Sequence, residues 1–181
     1  MRIVSRVLAV IAAMVAPFAV APLPATTLQK LSLDDMIRLS TTVVRARVSG
    51  SYAAARGADI YTFYQLSVLE TLKAGGHPPL EVAVPGGSAK GQRQLVEGAP
   101  QLKAGEEYVL FLWTSRSGLT QVIGLSQGLF TLVQDASGNP MLLRPAASEA
   151  MVDQNGRSIT DQSLSLQLGE LRGRIQKAAL K

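Results

Sequence analysis

Alternating apolar and polar residues through the middle of the chain predict a β-protein. In "TTVVRARVSG", residues 41–50, Val44, Ala46 and Val48 alternate with Arg45, Arg47 and Ser49, so one strand face is apolar and the other charged. Residues 60–69, "IYTFYQLSVL", are rich in β-branched and aromatic side chains, and the punctuation Gly75, Gly76, His77, Pro78, Pro79 follows; a long, bent strand is expected. "LEVAVPGG" places Leu80, Val82 and Val84 on one face before Pro85 stops it. Residues 88–105 carry Gly91, Gly98, Pro100 and Gly105 and read as loop. In "EEYVLFLWTS", Tyr108, Leu110 and Leu112 take one face and Val109, Phe111 and Trp113 the other, which predicts a central strand buried on both sides, Trp113 included. "LTQVIGL" and "LFTLV" continue as strand, and Ser137, Gly138 and Asn139 turn the chain into a short last hairpin strand, "PMLLRP".

The period changes toward both ends. "LSLDDMIRLS", residues 31–40, has Ser32 as N-cap, Asp34 and Asp35 in a first turn and Arg38 near the end, which predicts a short helix. In residues 163–181, Leu164, Leu168, Leu171 and Ile175 fall at helical spacing and form one amphipathic stripe. Gly169 and Gly173 each weaken that helix by about 1 kcal/mol relative to alanine, so the stripe must pack on the β-domain or on a partner. The two glycines spell GxxxG, but Glu170 and Arg172 exclude a lipid-embedded dimer face.

Composition adds a compartment. The 181 residues are 47% hydrophobic and 17% charged, with 16 Gly and 9 Pro, which suits one globular domain. The first 25 residues open with Arg2 and Arg6, run apolar from Val7 to Val15, and then meet Pro17, Pro22 and Pro24 among small residues: the layout of a secretory signal peptide. The apolar run falls short of the roughly 20 residues that span a bilayer. Ala19 and Ala21 form an A-x-A site, yet Pro22 would hinder the cut, so cleavage is expected after Ala25. The chain has no cysteine, which removes a lipobox and every disulfide, and stability must come from the core. Net charge is +5, two units of it from Arg2 and Arg6, a modest excess that does not call for nucleic acid. The expected location is the periplasm or the extracellular space, without a stable membrane anchor after processing.

"GLSQG", residues 124–128, fits the G-x-S-x-G pattern of a hydrolase nucleophile elbow. That motif needs a helix after the serine and partners in the order Ser, acid, His. Here a strand follows, and the single histidine, His77, precedes Ser126. His77 reads as a surface turn residue, and GLSQG as a bend where glycine lets one strand pass into the next. With one His and no Cys, a zinc site would need mostly carboxylates. Glu106 and Glu107 are neighbours on a strand and point apart. "PGGSAKGQ", residues 85–92, offers Lys90 and backbone N–H groups to an anion but lacks the Walker spacing, and reads as a hairpin loop. No catalytic, cofactor or metal residue is assigned. The candidate partner-binding residues are Arg45 and Arg47 on the outer face of the first strand, Lys90, and the stripe Leu164, Leu168, Leu171 and Ile175.

The order of "TTVVRARVSG", "YTFYQLSVLETLKAG", "EVAVPGG", "LKAGEEYVLFL" and "VIGLSQGLFTLV" between two helices resembles a family of uncharacterised exported bacterial proteins, over residues 31–133. A more distant similarity is to the netrin-type and tissue-inhibitor-of-metalloproteinase barrels, carried by Val44 and Val48, Lys73, and residues 105–112. That resemblance implies an oligonucleotide/oligosaccharide-binding (OB) type of five-stranded Greek-key barrel. Those inhibitors act through an N-terminal cysteine, which this chain lacks. The expected fold is therefore mainly β: a small five- to seven-stranded barrel or curled antiparallel sheet, OB-like, with a short N-terminal and a longer C-terminal helix. Its expected divisions are a signal peptide at 1–25, a short helix in 26–40, the β-domain at 41–145, a linker at 146–162 and the C-terminal helix at 163–181. The expected function is non-catalytic binding of a protein or an envelope polysaccharide. The alternatives are a hydrolase with a hidden site, and an assembly factor docking through its C-terminal helix.

Overall fold

A computed structural model describes residues 27–147 and 149–180; the expected signal peptide lies outside the described residues. The chain opens with β1 (Leu28–Gln29) and α1 (Leu33–Leu39). Two 15-residue strands follow, β2 (Thr42–Arg56) and β3 (Asp59–Lys73), then β4 (Glu81–Pro85) and a small hairpin of β5 (Gly87–Ala89) and β6 (Gln92–Gln94). Next come β7 (Glu107–Thr114), β8 (Thr120–Val122), β9 (Leu129–Gln134) and β10 (Pro140–Arg144). Short strands β11 (Met151–Val152) and β12 (Ser158–Ile159) lead to β13 (Leu164–Gln167) and α2 (Leu168–Ala179).

The protein is mainly β, with two helices. The principal sheet runs β13-β10-β9-β7-β2-β3-β4, antiparallel throughout, with β8 also paired to β7. It is an open path: β4 and β8 lie near each other without pairing. Register shifts at Val43/Val44, Arg45/Ala46 and Val48/Gly50 bend the β2–β3 hairpin, since each inserted residue raises local twist. The region expected as linker holds β11 and β12, and β1 joins β11 in parallel.

Both faces of the sheet are packed. On one, Val43, Val109, Phe111, Phe130, Leu142 and Leu166 meet Met36 and Ile37 of α1 and Leu168, Leu171 and Ile175 of α2. On the other, Val44, Ala46, Val48, Leu66, Val82, Val84, Tyr108, Leu110, Leu112 and Val122 form a second core. The two-sided pattern of β7 therefore holds from Tyr108 to Leu112, but Trp113 is 45% exposed and corrects the expectation that it is buried. The last β2 partner on β7 is Thr42, opposite Leu112, so at Trp113 only β8 flanks the strand and the core has ended.

α1 begins as its residues dictate. The Ser32 hydroxyl accepts the Asp35 N–H and donates to the Asp35 carboxylate, and Arg38 closes onto Asp35. At its other end, Lys73 Nζ donates to the carbonyls of Ile37 and Ser40, each at 2.6 Å, satisfying acceptors that a helix C-terminus leaves open.

Candidate functional site

The candidate partner-binding residues do not converge. Arg45 and Arg47 stand on one face of β2 as expected, but both donate to Glu107 of the neighbouring β7, Arg45 Nη2 at 2.7 Å. Glu70 lies opposite Arg45 on β3 and takes two bonds of 2.7 Å from Arg172 of α2. The result is a ladder of alternating sign, Arg47, Glu107, Arg45, Glu70, Arg172. Their guanidinium partners hold both Glu107 and Glu70 below the usual carboxylate range. Lys90 sits exposed at the tip of the β5–β6 hairpin with φ of 52°.

Leu168, Leu171 and Ile175 are buried in the helix-side core, and Leu164 packs against it from β13. Of the two ways to hold that stripe, packing on the protein's own sheet is the one observed. The strand at Leu164–Gln167 also starts the segment, so the helix begins at Leu168 rather than near residue 163.

GLSQG occupies the point where the sheet forks. One edge of β7 pairs with β9 over Tyr108–Leu110 and with β8 over Leu112–Thr114, and the turn between β8 and β9 fills the gap. Phe111 N–H donates to Gly128 O, and Phe111 O accepts from Ile123 N–H, both at 2.9 Å. A Cβ on Gly128 would stand 2.8 Å from Ile123 Cγ2 and 3.0 Å from Phe111 O, so glycine is required there. Gln127, 1% exposed, turns inward: its side-chain oxygen accepts Leu31 N–H at 2.8 Å and its nitrogen donates to Gln29 O at 3.0 Å. It clasps the N-terminal segment to the sheet. His77 is exposed in the β3–β4 connection.

Ser126, by contrast, lines a cleft of about 400 Å³ with Glu106, Tyr108, Thr131, Arg144 and Glu149, and residues 98–101 also line it. Tyr108 Oη donates to Glu106 Oε2 at 2.7 Å and accepts Lys103 N–H at 3.1 Å. That bond from Tyr108 keeps the Glu106 carboxyl below its usual range, while burial and the same carboxylate push the Tyr108 phenol up. Arg144 is buried and pairs with Asp161, Nη1 to Oδ2 at 2.5 Å, and Nη2 donates to Gln162 O at 3.0 Å. Asp161 also accepts Ala147 N–H at 2.9 Å and lies 3.5 Å from Lys30 Nζ. Burial alone would raise the Asp161 pKa, but the Arg144 and backbone hydrogen bonds override it and hold the carboxyl well below the ordinary range.

Among the described residues, Arg144 Nε and Glu149 Oε2 are buried side-chain atoms without a hydrogen-bond partner. Sequence reasoning missed Gln127, Arg144, Glu149 and Asp161. One signal was present, because Arg144 is in phase with the buried Leu142 on β10 and an inward arginine demands a carboxylate.

A larger groove of about 1000 Å³ runs between α1, the end of β3 and α2. Its charged residues Asp35 and Arg38 pair with each other, Arg174 pairs with Asp34 and Glu170, and Lys73 caps α1. Among the described residues no group of three or more His, Cys, Asp or Glu is placed to hold a metal, and no helix is long and apolar enough to cross a membrane.

Comparison of the chain with protein-family models, with curated proteins and with solved structures gives no match.

Proposed function

We propose that this is an exported, non-catalytic binding protein whose ligand is an envelope polysaccharide. The observation that carries the reading is the cleft beside β7 and β9, where the hydroxyls of Ser126, Thr131 and Tyr108 stand among charged groups in a volume suited to a small ligand. A polyhydroxylated ligand matches such a lining, since it can both donate and accept at many points.

The same reading takes the sheet as an OB-like barrel of the netrin and tissue-inhibitor-of-metalloproteinase type. β7, β2, β3 and β4 are consecutive in the sheet, β8 pairs with the edge of β7 away from β2, beyond β9, and lies near β4, and Val82, Val84 and Val122 share one core. Those are the neighbours that a five-stranded closure would join.

The processed chain, passed over its own envelope polysaccharide on a solid support, is expected to be retained without releasing reducing ends. Capture of protein components alone from the same envelope would sink the reading. One observation favours a second, hydrolytic reading: Ser126 lies in the cleft and follows Leu125, whose φ of 62° is strained for a branched side chain. Under that reading Ser126→Ala abolishes turnover of an ester or glycan panel; under ours the chain shows no turnover to lose.

A further inference from the structure

The β2–β3 hairpin outruns its neighbour. β7 pairs with β2 only from Thr42 to Arg47, and Val48 still bonds to Gly105 N–H and Glu106 O. From Gly50 to Arg56, the edge of β2 away from β3 has no strand beside it among the described residues.

The direction of each peptide group on that stretch follows from β3. Ile60 O accepts Gly86 N–H and Leu66 N–H donates to Leu80 O, so the even-numbered residues of β3 from 60 to 66 turn their backbone toward β4. The odd-numbered ones turn toward β2, where their partners are Gly50, Tyr52, Ala54 and Arg56. Pro85 agrees, since it has no N–H and stands opposite Tyr61. Ser51, Ala53 and Ala55 are left. Their N–H and C=O groups point out of the sheet edge, and nothing among the described residues bonds to them.

Sheet edges are commonly guarded by charge, by proline or by brevity. β4, at one end of the sheet, carries Glu81 and Pro85, and β13, at the other, has four residues. The stretch from Gly50 to Ala55 reads Gly, Ser, Tyr, Ala, Ala, Ala and has none of these guards.

We infer that this edge pairs antiparallel with the same edge of a second copy of the chain. The free stretch is its own complement. It is bounded by Val48 at one end and by the turn at Gly57 at the other, and its midpoint, Ala53, is an outward residue. A two-fold axis through Ala53 sets Ala53 against Ala53 and Ser51 against Ala55, so the outward residues of both copies are bonded at once, with about six hydrogen bonds. Between them, Tyr52 faces Ala54 and Arg56 faces Gly50. The exposed Tyr52 ring, stacked on Phe63 at 5.1 Å, finds a methyl group opposite it rather than a second ring, and no like charges meet. An unrelated extended peptide would gain the same backbone bonds but no pocket for its side chains, since the cleft and the groove are lined by other residues.

One strand pair is a small interface, so the processed chain is expected to sediment as a dimer at about 500 µM and as a monomer at about 1 µM. Hydrogen exchange on the same samples reads the edge residue by residue. The amides of Ser51, Ala53 and Ala55 should exchange freely in the dilute sample and about tenfold more slowly in the concentrated one, while those of Tyr52, Ala54 and Arg56, bonded to β3, stay protected in both. Ala53→Pro removes one outward N–H from each copy without touching a β2–β3 bond. It should weaken the dimer about thirtyfold and leave the circular dichroism spectrum unchanged. A chain that stays monomeric at about 500 µM overturns the inference and leaves the edge to another protein's strand. A dimer whose three outward amides exchange as fast as in the dilute sample overturns it too. The exchange pattern is read on the unaltered chain, so it decides even if Ala53→Pro does not fold.

Discussion

The single residue with most at stake in this protein is Asp161. Its carboxylate is buried and bonded to the Arg144 guanidinium and the Ala147 N–H, with Lys30 Nζ close by. Removing its charge strands a buried cation, and breaking a buried pair from one side typically costs about 3–5 kcal/mol. Asp161→Asn is expected to show that loss in urea unfolding at neutral pH. The pH dependence has a definite sign. A carboxyl whose folded pKa lies below its unfolded value, near 3.9 for Asp, stabilises the fold fully above that unfolded value and loses its contribution as pH falls toward the folded one. The urea midpoint of the natural chain should therefore decline from about pH 5 downward, with Asp161→Asn declining less steeply. Equal acid slopes in the two proteins would mean that the pair carries no linked proton.

At the scale of elements, the C-terminal segment changes meaning once its placement is known. β13 extends the sheet beyond β10, and α2 closes the helix-side core with Leu168, Leu171 and Ile175. Leu171→Ala is expected to cost about 2–5 kcal/mol, in the range for a leucine emptied from a packed core. Deleting residues 163–181 removes β13 and the α2 share of that core, leaving only α1 over it, so the truncated chain should lose cooperative unfolding and bind a hydrophobic dye. A truncated chain that stayed stable would reinstate the helix as a docking arm. The leucine spacing showed the stripe but not what it touches, because one apolar face looks the same whether a sheet or a partner covers it. The N-cap of α1 was readable since its partners, Ser32 and Asp35, are three residues apart. Gln127 was not, since its bonds reach back 96 and 98 residues to the N-terminal segment. The same limit hid the cleft: Arg144 and Asp161 are 17 residues apart with two short strands between them.

At the scale of the whole described chain, the principal sheet is packed on both faces, and the only tryptophan of the sequence stands where that packing stops. Alternation in β7 placed Trp113 in phase with Val109 and Phe111, both fully buried, and period two alone cannot say where along a strand the cover ends. Cover depends on the neighbours: β2 pairs with β7 only as far as Leu112, and beyond it β8 is the sole flanking strand. Fluorescence therefore reports one place and one question. With 45% of the residue exposed, emission is expected at the wavelength of hydrated indole, with efficient quenching by iodide. Unfolding in urea should shift that emission little, while the circular dichroism signal of the sheet is lost. A blue-shifted, quencher-resistant signal in the native protein would mean that something covers the end of β7. Dilution then separates the causes: a signal that turns red on dilution identifies a second copy of the chain, and one that does not identifies a fold whose sheet closes further than the open path from β13 to β4.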